Sequence, residues 1–290
     1  MTIAPAPEGR PRRLAYLGTP ELAVEPLRAL VAAGFEVAIV VSQPDRRRGR
    51  GAALLPSPVK AAAQALGLAV TDRVDDVIDA GVDLGVVVAF GRLIRPHVLE
   101  AVPMVNLHFS LLPRWRGAAP VERAILAGDS VTGVDLMAVE EGLDTGGIYG
   151  RVEVPIGPDD TLDELRNLLV DSGTALLVDH LTRGLGAPTP QIGEPTYAAK
   201  IEAHELEIDW SRPAIEVHRL VRLGGAWTTH RGRRLKVWRT ALPPVGGGPR
   251  VLAGGDPIEL VEVQPEGKAR VPGADWANGA RWTASDRLPS

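Results

Sequence analysis

Through the first half of the chain, short apolar runs alternate with stretches where apolar residues recur every three or four positions. Leu14 to Leu17, Glu36 to Val41, Asp83 to Phe90 and Met104 to Phe109 are compact apolar runs bounded by polar or breaking residues, and they predict buried strands. Pro20 to Ala33 and Pro58 to Leu66 predict helices between them. Proline is tolerated in a first helical turn, and Gly34 and Gly67 stand where each helix should stop. Thr132 to Val139 and Gly147 to Pro155 predict further strands, and a longer helix follows, capped by Asp159 or Asp160 and ended by Gly184. Alternation of strand and helix predicts an α/β fold, Rossmann-like, with a mostly parallel sheet and helices on both faces.

The pattern then changes. Gly186, Pro188, Pro190, Gly193 and Pro195 crowd one short stretch and predict an irregular linker. After it, Ile208 to Pro213 leads into a helix ending near Leu223, and short β runs follow at Leu235 to Arg239 and Ile258 to Gln264. The expected organisation is a disordered tail over 1–13, a first domain over 14–185, a linker over 186–204 and a small β-barrel-like domain over 205–290. No internal repeat is present.

Composition narrows the classes. At 290 residues with 45% hydrophobic and 23% charged positions, the chain suits two soluble domains. No apolar run approaches the roughly 20 residues that span a bilayer. Residues 1–13 hold Pro, Glu and Arg without an apolar signal core, so a cytoplasmic protein is expected, with no membrane partner. The absence of cysteine excludes disulfides and thiolate-held metals. Net charge is −4, but it is unevenly spread: from Glu205 onward 13 Lys/Arg face 10 Asp/Glu. Between Arg219 and Arg239 lie seven basic residues and no acid, a composition suited to meeting phosphates. A second basic run, Arg46, Arg47, Arg48 and Arg50, follows the second predicted strand.

The chemistry centres on the fourth predicted strand. Asn106 and His108 are two residues apart, so an amide and an imidazole point the same way near the strand's end. Pro113, Gly117 and Pro120 prevent the strand from continuing beyond Ser110. Ligands in open α/β sheets bind beyond the carboxyl ends of the strands, which is where this pair stands. Downstream, Asp144 sits in a Gly-flanked turn after the Thr132 to Val139 strand, placed to orient an imidazole and hold its tautomer. Other chemistries fit poorly. Gly18-Thr19-Pro20 lacks the further glycines of a dinucleotide fingerprint. The remaining histidines have no ligand spacing with His108, so no bound metal is expected. Ser110 lies in no Gly-x-Ser-x-Gly elbow and is read as a loop hydroxyl near the substrate, not a nucleophile.

The run Asn106 to Pro120, with Gly142-Leu143-Asp144-Thr145-Gly146 beyond it, is similar to the folate-dependent formyltransferases. Leu-Leu-Pro-Arg-Trp-Arg-Gly-Ala-Ala-Pro looks most like the members that act on methionyl-tRNA, and the resemblance extends from Leu14 to about Trp282. It implies that Asn106, His108 and Asp144 are catalytic and that the reduced folate 10-formyltetrahydrofolate is the consumed formyl donor. Its pterin pocket would be lined by Phe90, Gly91, Leu93, Ile94, Ser110, Leu111, Leu112, Pro113, Glu140 and Gly142. By the same resemblance the initiator methionyl-tRNA is the acceptor, contacted by Arg46, Arg47, Arg48 and Arg50 near its acceptor end. Arg231, Arg233, Arg234 and Lys236 would meet it elsewhere, on an OB-like second domain. A monomer is expected. The alternative is a sugar-nucleotide N-formyltransferase using the same donor; an RNA-binding protein with a decayed folate domain is disfavoured by the intact Asn106, His108 and Asp144. Two stretches depart from the family pattern: Leu223 to Trp227 is short, and Pro243, Pro244 and clustered glycines fall between Arg239 and Val261 where relatives carry more strand. The second domain is therefore expected to be a shortened barrel.

Overall fold

A computed structural model of the chain describes all residues except 1, 2, 8, 49–52, 284, 285, 287, 289 and 290. It divides into two compact units, the first made of Met1–Pro120, Val131–Pro155 and Arg166–Ala198, the second of Val121–Ser130, Ile156–Leu165 and Ala199–Ser290.

In chain order the first elements are β1 (Arg13–Gly18), α1 (Val24–Ala32), β2 (Glu36–Val41), β3 (Arg46–Arg48), β4 (Ala53–Leu55), α2 (Pro58–Ala65), β5 (Val70–Thr71) and α3 (Asp76–Asp79). They continue with β6 (Leu84–Val88), α4 (Pro96–Ala101), β7 (Met104–His108), β8 (Arg116–Gly117), α5 (Pro120–Ala127), β9 (Val131–Ala138), β10 (Ile148–Pro155), α6 (Leu162–Arg183) and β11 (Tyr197–Ala198). The main sheet of the first unit has seven strands in the order β10-β9-β7-β6-β1-β2-β5. Pairings from β7 through β5 are parallel, whereas β9 and β10 join antiparallel at the edge. All five residues of β6 are buried, as expected of a parallel strand covered on both faces. Helix starts follow the sequence signals: Ser57 caps α2 by accepting the Lys60 N–H at 3.0 Å, with Pro58 at the first helical position.

Because the chain leaves β1 towards β2 on one side and later returns through β6 to β7 on the other, strand order reverses beside β1. A crevice opens at such a reversal, outside the carboxyl ends of the strands. Tight packing supports the strand ends there: a Cβ on Gly18 would lie 3.0 Å from Ala23 and from the Tyr16 ring.

Two parts of the first unit make contacts that the sequence pattern did not signal. The segment read as a tail is tied down over its described residues. Ala4 donates its N–H to Leu99 O at 3.0 Å, and the Arg10 guanidinium lies 4.6 Å from the Phe35 ring centroid. The N–H groups of Arg12 and Arg13 donate to the Asp83 carboxylate, and these bonds lower its pKa. The stretch read as a linker also makes strand contacts: Thr189 exchanges backbone hydrogen bonds with Ile148, and β11 pairs in parallel with β8.

The second unit holds α7 (Ala214–Arg222), β12 (Trp227–His230), β13 (Arg233–Ala241), β14 (Arg250–Ala253), β15 (Asp256–Pro265), β16 (Val271–Pro272) and α8 (Gly273–Ala280). The strands pair antiparallel in the order β12-β13-β15-β14, with β16 also on β15. Ile208, Trp210, Val217, Val237, Leu260 and Trp276 are among its core residues. The strands are longer than the sequence pattern suggested. β13 reaches Ala241, and β14 fills part of the stretch expected to be missing. Its four residues alternate exposed and buried, but flanking Pro249 and Gly254 hid so short a period. The connection between them folds around one carboxylate. Glu259, 2% exposed, accepts the N–H groups of Gly246 at 2.6 Å and Gly248 at 2.7 Å. Burial raises its pKa, but backbone donors outweigh that cost and the net shift is downward. A side chain at Gly248 would strike Leu260 O at 2.2 Å, so glycine is required there. No helix among the described residues is long and apolar enough to cross a membrane.

Candidate functional site

Asn106 and His108 stand in β7 where it leaves the sheet beside β6 and β9. His108 is buried, and both its ring nitrogens face oxygens: Nε2 lies 3.0 Å from Trp115 O and Nδ1 lies 3.6 Å from Asp144 Oδ2. Asn106 is half-buried, and its amide makes no hydrogen bond within the protein among the described residues. An amide held on a strand with its polar atoms unspent is available to a ligand.

Asp144 is presented by a turn. Its φ is 51°, in the left-handed region that Asp tolerates better than most residues. Oδ2 accepts the Gly117 N–H at 2.7 Å, so the carboxylate is shared between that donor and the His108 ring. Gly117 has φ 120°, and a Cβ there would lie 2.9 Å from Ala198 O. The stretch after β7 thus supplies a carbonyl to His108 and an N–H to Asp144.

A second device fixes the loop that leaves β7. Asp135 in β9 lies opposite His108 in β7, and Arg151 in β10 lies opposite Asp135. The fully buried Asp135 carboxylate receives the Arg151 guanidinium through bonds of 2.7 Å to each oxygen and the Leu112 N–H at 2.8 Å. Arg151 also donates to Leu112 O at 2.6 Å, and the bidentate pairing with Asp135 raises its pKa. Both backbone groups of Leu112 are therefore held by charged side chains.

The expected folate-lining residues differ in how far their side chains are exposed. Phe90 and Ile94 are buried in a core cluster with Leu17, Val98 and Leu99, and Leu112 is likewise buried. The side chains at these three positions are therefore part of the core, the backbone of Leu112 is held by Asp135 and Arg151, and the Phe90 carbonyl accepts from Thr19 and Gln43, each at 3.3 Å. Gly91, at φ 68°, is exposed. Leu93 is 80% exposed, and Glu140 and Gly142 are not buried. Ser110 is buried and donates to Arg114 O at 2.6 Å, closing the turn rather than facing a base; Leu111 and Pro113 are half-buried.

Of the first basic cluster, Arg46 and Arg47 lie on β3, which pairs with β4 as a hairpin, and neither is buried; Arg48 lies on the same strand, and Arg50 lies outside the described residues. In the second unit Arg231, Arg233 and Arg234 are exposed around the β12–β13 turn. The Arg234 guanidinium sits 3.8 Å from the Trp227 ring centroid, and the half-buried Lys236 ammonium 5.6 Å from that of Trp238.

Sequence reasoning missed Asp135, Arg151 and Gln191. A charged residue inside an apolar strand was a signal for the first two. Gln191, whose carboxamide bonds to the Asp144 turn, carried none.

Comparison with known proteins identifies the family. The family model described as Formyl transferase matches residues 12–181, and that described as Formyl transferase, C-terminal domain, matches 200–281. The chain is 44% identical over 293 residues to a methionyl-tRNA formyltransferase of Roseobacter denitrificans, covering 92% of this chain and 96% of the relative. It is 43% identical over 300 residues to the enzyme of that name from Symbiobacterium thermophilum, covering 92% of each. Among solved structures, an N-formyltransferase of Helicobacter canadensis in complex with folinic acid and dTDP-3-aminofucose superposes with a TM-score of 0.67 at 18% identity. That match covers 88% of this chain and 99% of the other.

Proposed function

This chain belongs to the formyl transferase family, and from that membership we propose that it moves the formyl group of 10-formyltetrahydrofolate onto the amino group of methionine carried by initiator tRNA. It does so as a cytoplasmic monomer. The observation that carries the reading is the unspent amide of Asn106 beside a His108 ring whose far side faces Asp144. Attack of the amine on the formyl carbon places negative charge on the formyl oxygen, and an amide N–H of Asn106 is positioned to receive it. Collapse then breaks the bond to the folate nitrogen, which takes a proton as the amine loses one. His108 is the group at hand to carry that proton, with Asp144 orienting its ring. No covalent enzyme intermediate is needed.

Identity of 43–44% over most of the chain with relatives bearing the methionyl-tRNA name supports tRNA as acceptor, whereas the sugar-nucleotide structure shares only 18%. The arginines of β3 and of the β12–β13 turn support it further, since a phosphate backbone needs such donors.

The test is formyl transfer from 10-formyltetrahydrofolate to methionyl-tRNA, measured beside transfer to an amino-sugar nucleotide. Turnover with the tRNA and none with the sugar is expected. The reverse would make the chain a sugar-nucleotide N-formyltransferase.

A further inference from the structure

We propose that Gln191 is a positioning residue for the Asp144–His108 pair, acting from a stretch that has no regular secondary structure; this deepens the functional reading above and rests on it. The carboxamide has its full complement of partners. Nε2 donates to Asp144 O and to Gly146 O, each at 2.8 Å, and Oε1 accepts Arg116 Nε at 3.2 Å and the terminal nitrogen of the same guanidinium at 2.6 Å. Two donors and two acceptor sites are all that a glutamine side chain offers.

Those partners are the supports of the site itself. Asp144 and Gly146 bracket the turn that carries the carboxylate in a left-handed conformation. Arg116 lies between Trp115, whose carbonyl meets His108 Nε2, and Gly117, whose N–H holds Asp144 Oδ2. Gln191 thus ties the strip that contacts both titratable groups to the turn that presents one of them. Its own backbone is fixed on either side: Thr189 exchanges hydrogen bonds with Ile148, Thr196 N–H donates to Pro113 O at 3.2 Å, and Arg116 N–H donates to Thr196 O at 2.8 Å. A side chain so anchored can hold Asp144 to within the fraction of an ångström that proton transfer requires.

The test uses the full chain with Gln191→Ala and Gln191→Glu. Glutamate keeps the acceptor for Arg116 but turns a carboxylate towards the two carbonyl oxygens, so it separates the two halves of the clamp and covers the case in which alanine does not fold. Both variants should lower kcat by about tenfold or more, a size expected of misplacement near 1 Å, while KM for folate and for tRNA stays within about twofold. In an Asp144→Ala background neither substitution should lower kcat further, because Gln191 acts through Asp144. Hydrogen exchange supplies a readout free of activity: the Gly117 amide, protected by the Asp144 carboxylate, should exchange faster in both variants. Unchanged kcat, an equal drop in the Asp144→Ala background, or unchanged exchange at Gly117 would each overturn the proposal. An inactive wild-type chain would instead overturn the functional reading, and the exchange comparison would still decide whether Gln191 holds the turn.

Discussion

At the scale of single residues, this site is decided by which polar atoms are already engaged. Ser110 and Asn106 are close in sequence and both polar, yet Ser110 gives its hydroxyl to Arg114 O while the Asn106 amide makes no hydrogen bond within the protein among the described residues. The same accounting separates two carboxylates. Asp135 is fully buried and committed to Arg151 and Leu112, whereas Asp144 shares one oxygen between Gly117 and His108. Asp135 is therefore a structural anchor, whereas Asp144 is the carboxylate that faces the His108 ring. Asn106→Ala should reduce kcat for formyl transfer by about a hundredfold or more, the usual effect of removing one oxyanion donor. Asp144→Ala should slow it by a comparable order while the far-ultraviolet dichroism of the fold persists. Steady-state kinetics on both variants checks this, and either one retaining wild-type kcat would remove that residue from the mechanism.

At the scale of elements, helices and strands are also tied to loops by buried polar side chains. In the second unit α7 carries two, His218 and Arg222. His218 Nδ1 lies 2.9 Å from Thr240 Oγ1, and Nε2 lies 3.2 Å from both Pro158 O and Asp159 Oδ1. Arg222 donates to Asp160 O and Gly157 O, so both side chains clasp the segment before α6. Burial lowers the His218 pKa; Pro158 O and Asp159 pull it up without overcoming that, and Arg222 adds to the lowering. The unfolded chain therefore holds more protons here than the folded one as pH falls below about 6.5, the ordinary histidine value. Stability contributed at this site is full above that pH and declines as pH drops towards the lowered folded-state value. Denaturant unfolding of wild type and His218→Gln at pH 7.5 and pH 5.5 should show a larger decrease in the wild type. Equal decreases would mean that His218 is not held neutral.

At the scale of the whole molecule, charge is the feature that single elements do not reveal. The chain is net −4, yet Arg46 and Arg47 stand on β3 and Arg231, Arg233 and Arg234 are exposed near β13. Two basic surfaces on an acidic protein suit a polyanion that touches separate places and is repelled elsewhere. Phosphate contacts release counterions, so tRNA affinity should fall steeply with salt. Replacing Arg46, Arg47, Arg48 and Arg50 together by alanine should flatten that dependence by roughly 0.7–0.9 in logarithmic slope for each phosphate no longer neutralised. KM for tRNA should rise and folate affinity should stay unchanged. Filter binding across a salt series reads the slope, and equal slopes for wild type and variant would confine the RNA contacts to the second unit.

The alternation of apolar runs and amphipathic stretches was enough to predict the parallel sheet, because a strand buried on both faces can be built only from nearly continuous apolar residues, as in β6. Two-residue spacing put Asn106 and His108 on one face of β7 for an equally local reason. Beyond the reach of local pattern lay every contact made by closure of the chain. Gln191 reaches Asp144 across 47 positions and Arg116 across 75, and no periodicity records such a meeting. β14 escaped notice because four residues between proline and glycine hold too little of a two-residue period, and its place is set by pairing with β15. The tail-like segment before β1 had no apolar pattern to announce the hydrogen bonds that Ala4, Arg12 and Arg13 make to Leu99 and Asp83, partners about 70 to 95 positions away. Backbone geometry near the site is equally a tertiary decision: Asp144 holds its left-handed φ because Gly117 and Gln191 grip both its side chain and its carbonyl. Local sequence thus determined the strands and the polar side chains they carry, while long-range hydrogen bonds decided how those side chains are held, since their energy depends on partners that only folding brings together.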